Sequence, residues 1–411
     1  MAPTPILNPR PNLQYSVKAM NVDSEIVKLR DEFPILKYKT YLNSAAHGPA
    51  LRRVHDAVQD WWRFKMCEDG SPRMPEPKAE ASKLIGADPD EVCWVTRVSQ
   101  GLNTVAGMSK LKKGENIIVT DLAYPSNVFV WLPYKAKGIE IRRIAHHDGR
   151  IELSDFEKAV DDRTRVVCIS RVEWTSGLKY DMETISEVAH DHGAVVVDDA
   201  YQAVGPMEVD VHADGVDFMT FGSEKWLCCP TMAGVLYVRR SLIGDYDPSY
   251  RFYMTVDDIA KIGQPWLYAD HDNLASYEKP LLRTAEKFDS GCVSEEALWG
   301  FNACLGFWNS LDKGQVERRV KRLSGYLIDG LRSLGVKVNT PLEPENRAGL
   351  VTYTTGRYEV NQRSVSALAS AGIIVAHRYA GGVGGVRVST NVFNTEEEID
   401  RLLEVQGKQL K

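Results

Sequence analysis

From about residue 90 the chain settles into a rhythm. Short apolar runs appear at VCWVT, NIIVTD, EIRRIA, RVVCIS, AVVVDD, FMTFG and GVLYVR. Their near-continuous apolar character is that of strands buried on both faces. Several are separated by stretches with apolar positions at helical spacing, such as METISEVAHDH at 182–192. Strands alternating with helices predict a mostly parallel sheet covered on both sides. Before this region, DSEIVKLRDEF (23–33) and residues 51–67 read as helices, with TYLNSAAHGP between them as a strand leading into a turn. The rhythm breaks near 244, and residues 244–290 are polar, aromatic and irregular. A long helical region follows from about 295 to 334. Residues 335–411 then alternate short strands with two helices, ending at TEEEIDRLLEVQGKQL. The expected organisation is an N-terminal arm (1–22), a large α/β domain (23–290) and a smaller C-terminal α/β domain (291–411). Residues 23–40 are candidates to pack with the smaller domain.

Composition narrows the classes. The 411 residues carry 50 Lys and Arg against 56 Asp and Glu, a net charge of −6. No basic field argues for nucleic acid or an anionic membrane. No apolar run approaches the roughly 18 residues that span a bilayer. The opening MAPTPILNPRPNLQY is rich in proline and has no apolar signal core, so it reads as an arm. The seven cysteines (67, 93, 168, 228, 229, 292 and 304) form no CxxC pair and no metal-ligand spacing. Scattered through apolar segments, they fit reduced thiols in a cytoplasmic protein. The run His146-His147-Asp148 precedes a polar turn and lacks a second ligand pair, so no metal is expected there.

Chemistry concentrates at two strand ends. AVVVDDAYQAVG (194–205) is a buried-strand pattern ending in two aspartates. Polar groups at the carboxyl end of a parallel strand sit where open α/β sheets bind ligands. Asp198 reads as the start of a solvated loop, whereas Asp199 calls for a cationic or hydrogen-bonding partner. Lys225 follows the next apolar run, in FGSEKWLCCP (221–230). An Asp and a Lys at adjacent strand ends suit pyridoxal 5'-phosphate. The lysine forms the Schiff base, and the aspartate keeps the pyridine nitrogen protonated.

With these words in place, the chain resembles the class V aminotransferase group of fold-type-I pyridoxal phosphate enzymes. That group includes cysteine desulfurases, isopenicillin N epimerase-like proteins and C–S lyases. The resemblance runs from about residue 24 to 407. DDAYQAVG looks like the family's V-D-G-A-(Q/H)-A-V-G, which implies Asp199 as the pyridine partner and Gln202 as a contact of the cofactor's phenolic oxygen. EKWLCCPTMAG is similar to H-K-W-L-C-x-P-x-x-x-G and implies Lys225 as the catalytic lysine. VTRVSQGLN (95–103) resembles the phosphate turn before a helix, which implies the amides of Val98 and Gln100 and the Ser99 hydroxyl as phosphate ligands. DLAYPSNV (121–128) resembles the segment whose aromatic stacks on the cofactor ring, here Tyr124. RVSTNVFNTEEEID (387–400) is similar to R-x-S-x-x-x-Y-N-T-x-E-E-(I/V)-D, which implies Arg387 as a bidentate anchor for the substrate α-carboxylate. YLNSAAHGP resembles the strand lining the substrate side, with Asn43, Ala46 and His47 as candidates. KFDSGCVS (287–294) resembles a loop that reaches the phosphate of a neighbouring subunit. It implies a homodimer with active sites at the interface, and places Cys292 by the phosphate.

The departures matter as much. Desulfurases carry a nucleophilic cysteine on a mobile loop just before the arginine strand. Here that interval, AGIIVAHRYAGGVGGVRVS (371–389), has no cysteine, and its glycines read as a tight turn presenting His377 and Arg378 to the substrate. Glu224 stands where the family has His beside the phosphate. A carboxylate there must turn away, pair with an arginine or be protonated, and Ser223 is a candidate to supply the missing donor. RVEWTSG (171–177) matches its counterpart loosely at Trp174 and Thr175. The expectation is an enzyme acting on an α-amino acid. Lacking the desulfurase nucleophile, Cβ elimination or C–S cleavage leads, with epimerisation and transamination as alternatives. A catalytically inactive scaffold is the alternative outside enzymology. The aromatic 244–290 segment, with Tyr250, Phe252, Tyr253, Trp266 and Tyr268, is expected to shape substrate choice.

Overall fold

A computed structural model of the chain describes residues 23–67, 77–257, 280–291 and 293–410. The proline-rich arm, Trp266, Tyr268 and Cys292 therefore lie outside the described residues. Thirteen strands are formed among the described residues: β1 (Thr40–Tyr41), β2 (Val92–Val95), β3 (Asn116–Thr120), β4 (Glu140–Ile144), β5 (Thr164–Ser170), β6 (Val195–Asp199), β7 (Phe218–Gly222), β8 (Gly234–Val238), β9 (Lys337–Val338), β10 (Leu350–Thr354), β11 (Ile373–Ile374), β12 (Ala376–Ala380) and β13 (Val383–Ser389).

The seven apolar runs of the first half make one sheet, in the order β2-β8-β7-β6-β5-β3-β4. β8 runs antiparallel to both of its neighbours, and the other pairs are parallel. Successive residues serve opposite cores, as the two-residue period of a strand requires. Ile118, Val167, Val196, Met219 and Val235 enter one core. Ile117, Val166, Val197, Phe218 and Leu236 enter the other. Both faces are dry except at the edge strand β4, which is why the inner runs lack the polar alternation of a half-exposed sheet.

A second sheet, ordered β12-β13-β10-β9, lies in the C-terminal part. Its apolar face joins Leu323, Leu327 and Leu331 of helix Lys313–Ser333 with Leu368, Ile399 and Leu402. The N-terminal residues are tied to it: β1 pairs with β11, and Arg30 bonds Glu398 at 2.9 Å.

The helical region expected to run from 295 to 334 is two helices, Glu295–Asn309 and Lys313–Ser333. Asp312 accepts a bond from the Gln315 amide at 2.8 Å and caps the second, so the chain can turn between them. The first packs on the large-sheet core through Phe301, Cys304 and Trp308. Trp308 Nε1 donates to the Leu227 carbonyl at 2.9 Å, which buttresses the turn that carries Lys225. Among the described residues, no helix is long and apolar enough to cross a membrane.

Candidate active site

β6 and β7 deliver the two residues on which the sequence reading rested. They are adjacent and parallel, with Asp199 opposite Thr220. Lys225 follows three residues after β7 ends. Because side chains alternate along β6, its two aspartates point to opposite faces. Asp198 was read as the start of a solvated loop, and the structure corrects this. It is fully buried, and one of its carboxylate oxygens accepts bonds from Arg171 Nε and Nη2 at 2.8 and 2.7 Å. The strand continues through Asp199, so Asp198 remains inside the sheet and needs its own cation.

Asp199 faces the other way and is 4% exposed. It accepts from Asn127 Nδ2 at 3.1 Å and from the Tyr201 amide at 3.1 Å. Burial pushes its carboxyl up, opposed by Lys225. Burial pushes the Lys225 amine down to about 8; Asp199 opposes this, and Arg387 and Arg378 add to it. The amine lies 3.6 Å from the centroid of the Tyr201 ring and 5.5 Å from that of Tyr124. Tyr124 is 40% exposed and meets Trp174 edge-on at 5.3 Å.

Helix Val98–Met108 begins beside this group. Ser99 is exposed, with its hydroxyl 2.8 Å from that of Ser126. The Gln100 amide bonds back to the Arg97 carbonyl at 2.9 Å, and its side-chain oxygen accepts from the Thr96 amide and hydroxyl. The Gln100 side chain also donates to Ser290, so the loop expected to reach a neighbour's phosphate meets the start of this helix within its own chain. Glu224 is not left alone against this turn. Arg97 stands 4.0 Å from it, the Glu224 charge acts on the neighbouring Tyr201 hydroxyl, and Glu224 Oε2 is buried without a partner. Ser223 is buried and donates its hydroxyl to the Pro230 carbonyl at 2.5 Å.

The segment from Asn43 to Gly48 closes the other side. The Gly48 amide donates to the Glu224 carbonyl at 2.7 Å, and a Cβ at Gly48 would run into the Lys225 carbonyl. Gln202 binds the Ala45 carbonyl at 3.2 Å and accepts from Trp226 Nε1 at 2.7 Å. Asn43 and Ala46 are half-buried, and His47 is exposed.

Arg387, on β13, is 1% exposed. Its Nη1 donates to the Trp174 carbonyl at 2.8 Å, and its Nε has no partner. Burial and then Arg378 push the guanidinium down to about 9. Just ahead, β12 and β13 join through Gly381 and Gly382, both at positive φ (57° and 84°). A two-residue turn of this kind suits glycine, and it leaves no loop of the length a mobile nucleophile needs. Arg378 and His377 sit on β12 itself rather than on the turn. His377 faces the side opposite Arg378, its ring 4.4 Å from Tyr358.

Beside Trp174, Glu173 is fully buried. It accepts from the Thr120 and Tyr180 hydroxyls at 2.9 Å each, its second oxygen has no partner, and burial pushes it up to about 8.

A class-V aminotransferase family model matches residues 41–402. The chain belongs to that family. A probable cysteine desulfurase of Methanothermobacter thermautotrophicus is 25% identical over 403 residues, covering 91% of this chain and 95% of that one. The apo structure of a cysteine desulfurase from Thermococcus onnurineus NA1 superposes with a TM-score of 0.81 at 24% identity, over 93% of this chain and 97% of that one. The cystine C–S lyase C-DES, in complex with its product cysteine persulfide, gives a TM-score of 0.80 at 19% identity, over 91% and 99% of the two chains. A C-DES variant with glycine covalently linked to its PLP cofactor gives 0.81 at 19%, over 92% and 98%. This member of the class-V aminotransferase family thus has the fold-type-I architecture, and its family's cofactor is pyridoxal 5'-phosphate. The residues present fit that group. Asn127 Oδ1, Trp174 Nε1, Thr175 Oγ1 and Arg387 Nε are buried without a partner around the cleft, as expected of a site shaped for a polar ligand.

Sequence reasoning missed Asn127, Ser126, Arg97 and Tyr201. Tyr201 was visible in DDAYQAVG, where the family word has a small residue.

Proposed function

We propose that this member of the class-V aminotransferase family is a pyridoxal phosphate-dependent lyase that eliminates a sulfur leaving group from Cβ of an α-amino acid. One observation carries the reading. The Lys225 amine feels both a buried carboxylate, Asp199, and a buried guanidinium, Arg387, which bonds the Trp174 carbonyl and has no carboxylate partner among the described residues. An amino acid brings the anion that Arg387 lacks.

When bound, pyridoxal phosphate supplies an electron sink for the Cα–H bonding pair. The start of helix Val98–Met108, with Ser99, holds the phosphate end, where helix amides favour an anion. Asp199 keeps a proton on the pyridine nitrogen, and Asn127 fixes the carboxylate for this task. Tyr124 covers the ring. Lys225 takes the Cα proton; an amine whose protonation midpoint lies near 8 can both accept and return a proton at neutral pH. The Cβ–S bond breaks with its electron pair leaving on sulfur. Overall, a sulfur-substituted alanine and one water give a thiol, pyruvate and ammonium.

The tight β12–β13 turn supports a lyase over a persulfide-forming desulfurase, because no cysteine is carried there. Epimerisation and transamination use the same anchors. A substrate screen that follows keto acid, ammonium and loss of L-configuration separates the three. Keto acid and ammonium in equal amounts are expected. Accumulation of pyridoxamine phosphate would overturn the lyase reading in favour of transamination. Protein that stays colourless with added cofactor would support the inactive scaffold.

A further inference from the structure

Arg378 and Arg387 stand on one face of the smaller sheet. β12 and β13 are antiparallel, with Ala376 directly opposite Arg387 and Arg378 opposite Gly385. Directly opposed residues share a face, as do residues two apart along a strand, so Arg378 is the diagonal neighbour of Arg387. Such neighbours are roughly 7–8 Å apart, within reach of two arginine side chains. Two guanidinium groups in that relation repel unless anions lie between or beside them.

Among the described residues, neither is paired with a carboxylate. The groups acting on Arg387 are Arg378 and Tyr124, with no carboxylate among them. Arg378 donates to the carbonyl of its own neighbour, His377, at 2.8 Å. Lys225 is a third cationic group here, and its amine is pushed down by burial and by both arginines. The nearby carboxylates have other partners: Asp199 has Asn127 and the Tyr201 amide, and Glu224 has Arg97 at 4.0 Å. One substrate α-carboxylate satisfies Arg387 and leaves Arg378 facing the cleft unmatched.

We propose that the substrate is a dianionic amino acid whose side chain ends in a carboxylate or a similar oxyanion, bound by Arg378 while Arg387 holds the α-carboxylate. This rests on the reading of the cleft as an amino-acid site.

The test is an equilibrium titration of the holoenzyme, followed by the absorbance of the bound cofactor. The probes are S-carboxymethyl-L-cysteine and S-carbamoylmethyl-L-cysteine, matched in size and differing in side-chain charge. The charged probe is expected to bind about tenfold or more tightly, as a charge-assisted pair implies, and the preference should shrink with added salt. Arg378→Gln should bring the two affinities to within about twofold of each other by weakening the charged probe, and Arg378→Lys should retain part of the preference. Equal binding of both probes by the unsubstituted enzyme would overturn the proposal. So would an equal weakening of both by Arg378→Gln, which would assign Arg378 to the α-carboxylate. If neither probe nor L-cysteine perturbs the cofactor band, the amino-acid reading itself fails, and this proposal with it.

Discussion

The Lys225 amine rests 3.6 Å from the centre of the Tyr201 ring, and burial followed by the charge of Glu224, the residue just before the lysine, pushes the Tyr201 hydroxyl up. One tyrosine thus senses both the amine and the acid that looked out of place beside a phosphate. An aromatic face favours the charged form of an amine. Tyr201→Leu should therefore lower the Lys225 midpoint below about 8, by roughly half to one pH unit. Tyr201→Phe keeps the ring and should leave it nearly unchanged. The pH profile of amine modification by trinitrobenzenesulfonate in cofactor-free protein, with the site mapped by peptide analysis, reads both. A Leu variant with an unmoved midpoint would remove Tyr201 from this role.

The same profile carries a stability statement. A lysine whose folded midpoint is about 8 against an ordinary 10.5 binds fewer protons folded than unfolded between those values. Its destabilisation is fully present below about 8 and is relieved as pH rises toward 10.5. Lys225→Met should remove that dependence. The gain in Tm over the unsubstituted protein should be larger at pH 7 than at pH 10.

The neighbouring aspartates should respond differently to substitution. Asp198→Ala takes the partner from Arg171 Nε and Nη2 in the core while Asp214 still pairs with Nη1, which costs about 1–3 kcal/mol and is measurable by denaturant unfolding. Asp199→Asn preserves shape, keeps its oxygen on the Tyr201 amide and, with the Asn127 amide turned over, donates to Asn127 Oδ1, which otherwise has no partner; it removes the charge that raises the lysine's midpoint. Stability should change by less than about 1 kcal/mol, the Lys225 midpoint should fall further below 8, and turnover should drop by about 10²-fold or more.

Arg387→Met is expected to trade function for stability. A buried guanidinium with one carbonyl partner and an unpartnered Nε costs folding free energy. Its replacement should stabilise the cofactor-free protein by about 1–3 kcal/mol while weakening amino-acid binding about 10²-fold. Unfolding curves and equilibrium titration measure the two separately. A destabilised variant would mean that packing around Arg387 outweighs its charge.

Glu173 gives a second pH signature, of opposite sign. Its folded midpoint is about 8 against an ordinary 4.5. The unfolded chain gives up this proton first, so the glutamate erodes stability as pH rises from about 4.5 to 8. Glu173→Gln should be nearly neutral at pH 4.5 and progressively more stable than the unsubstituted protein up to pH 8, seen as a widening difference in Tm.

Local pattern was enough for much of this. Every strand of the large sheet coincides with one of the runs read in the sequence, and the inner strands are almost wholly apolar because they are buried on both faces; the edge strand β4, EIRRI, is partly exposed and carries two arginines. The spacing from Asp199 to Lys225 and the word around each residue pointed to the cofactor, since residues at adjacent strand ends are neighbours whatever the loop between them does. The Gly381–Gly382 turn was legible because a two-residue hairpin asks for positive φ.

Tertiary structure decided the rest. Asp198 and Asp199 are chemically identical and adjacent, and only the face each side chain takes in a closed sheet made one an ion-pair partner of Arg171 and the other a neighbour of Lys225. The 295–334 helical pattern could not show its own break, which depends on a cap and on packing against the Lys225 turn. Arg378 and Arg387 lie nine residues apart in sequence, and their shared face comes from strand register. Periodicity reports which side of an element is apolar. Which charged groups face one another across a cleft depends on how elements distant in sequence are packed together.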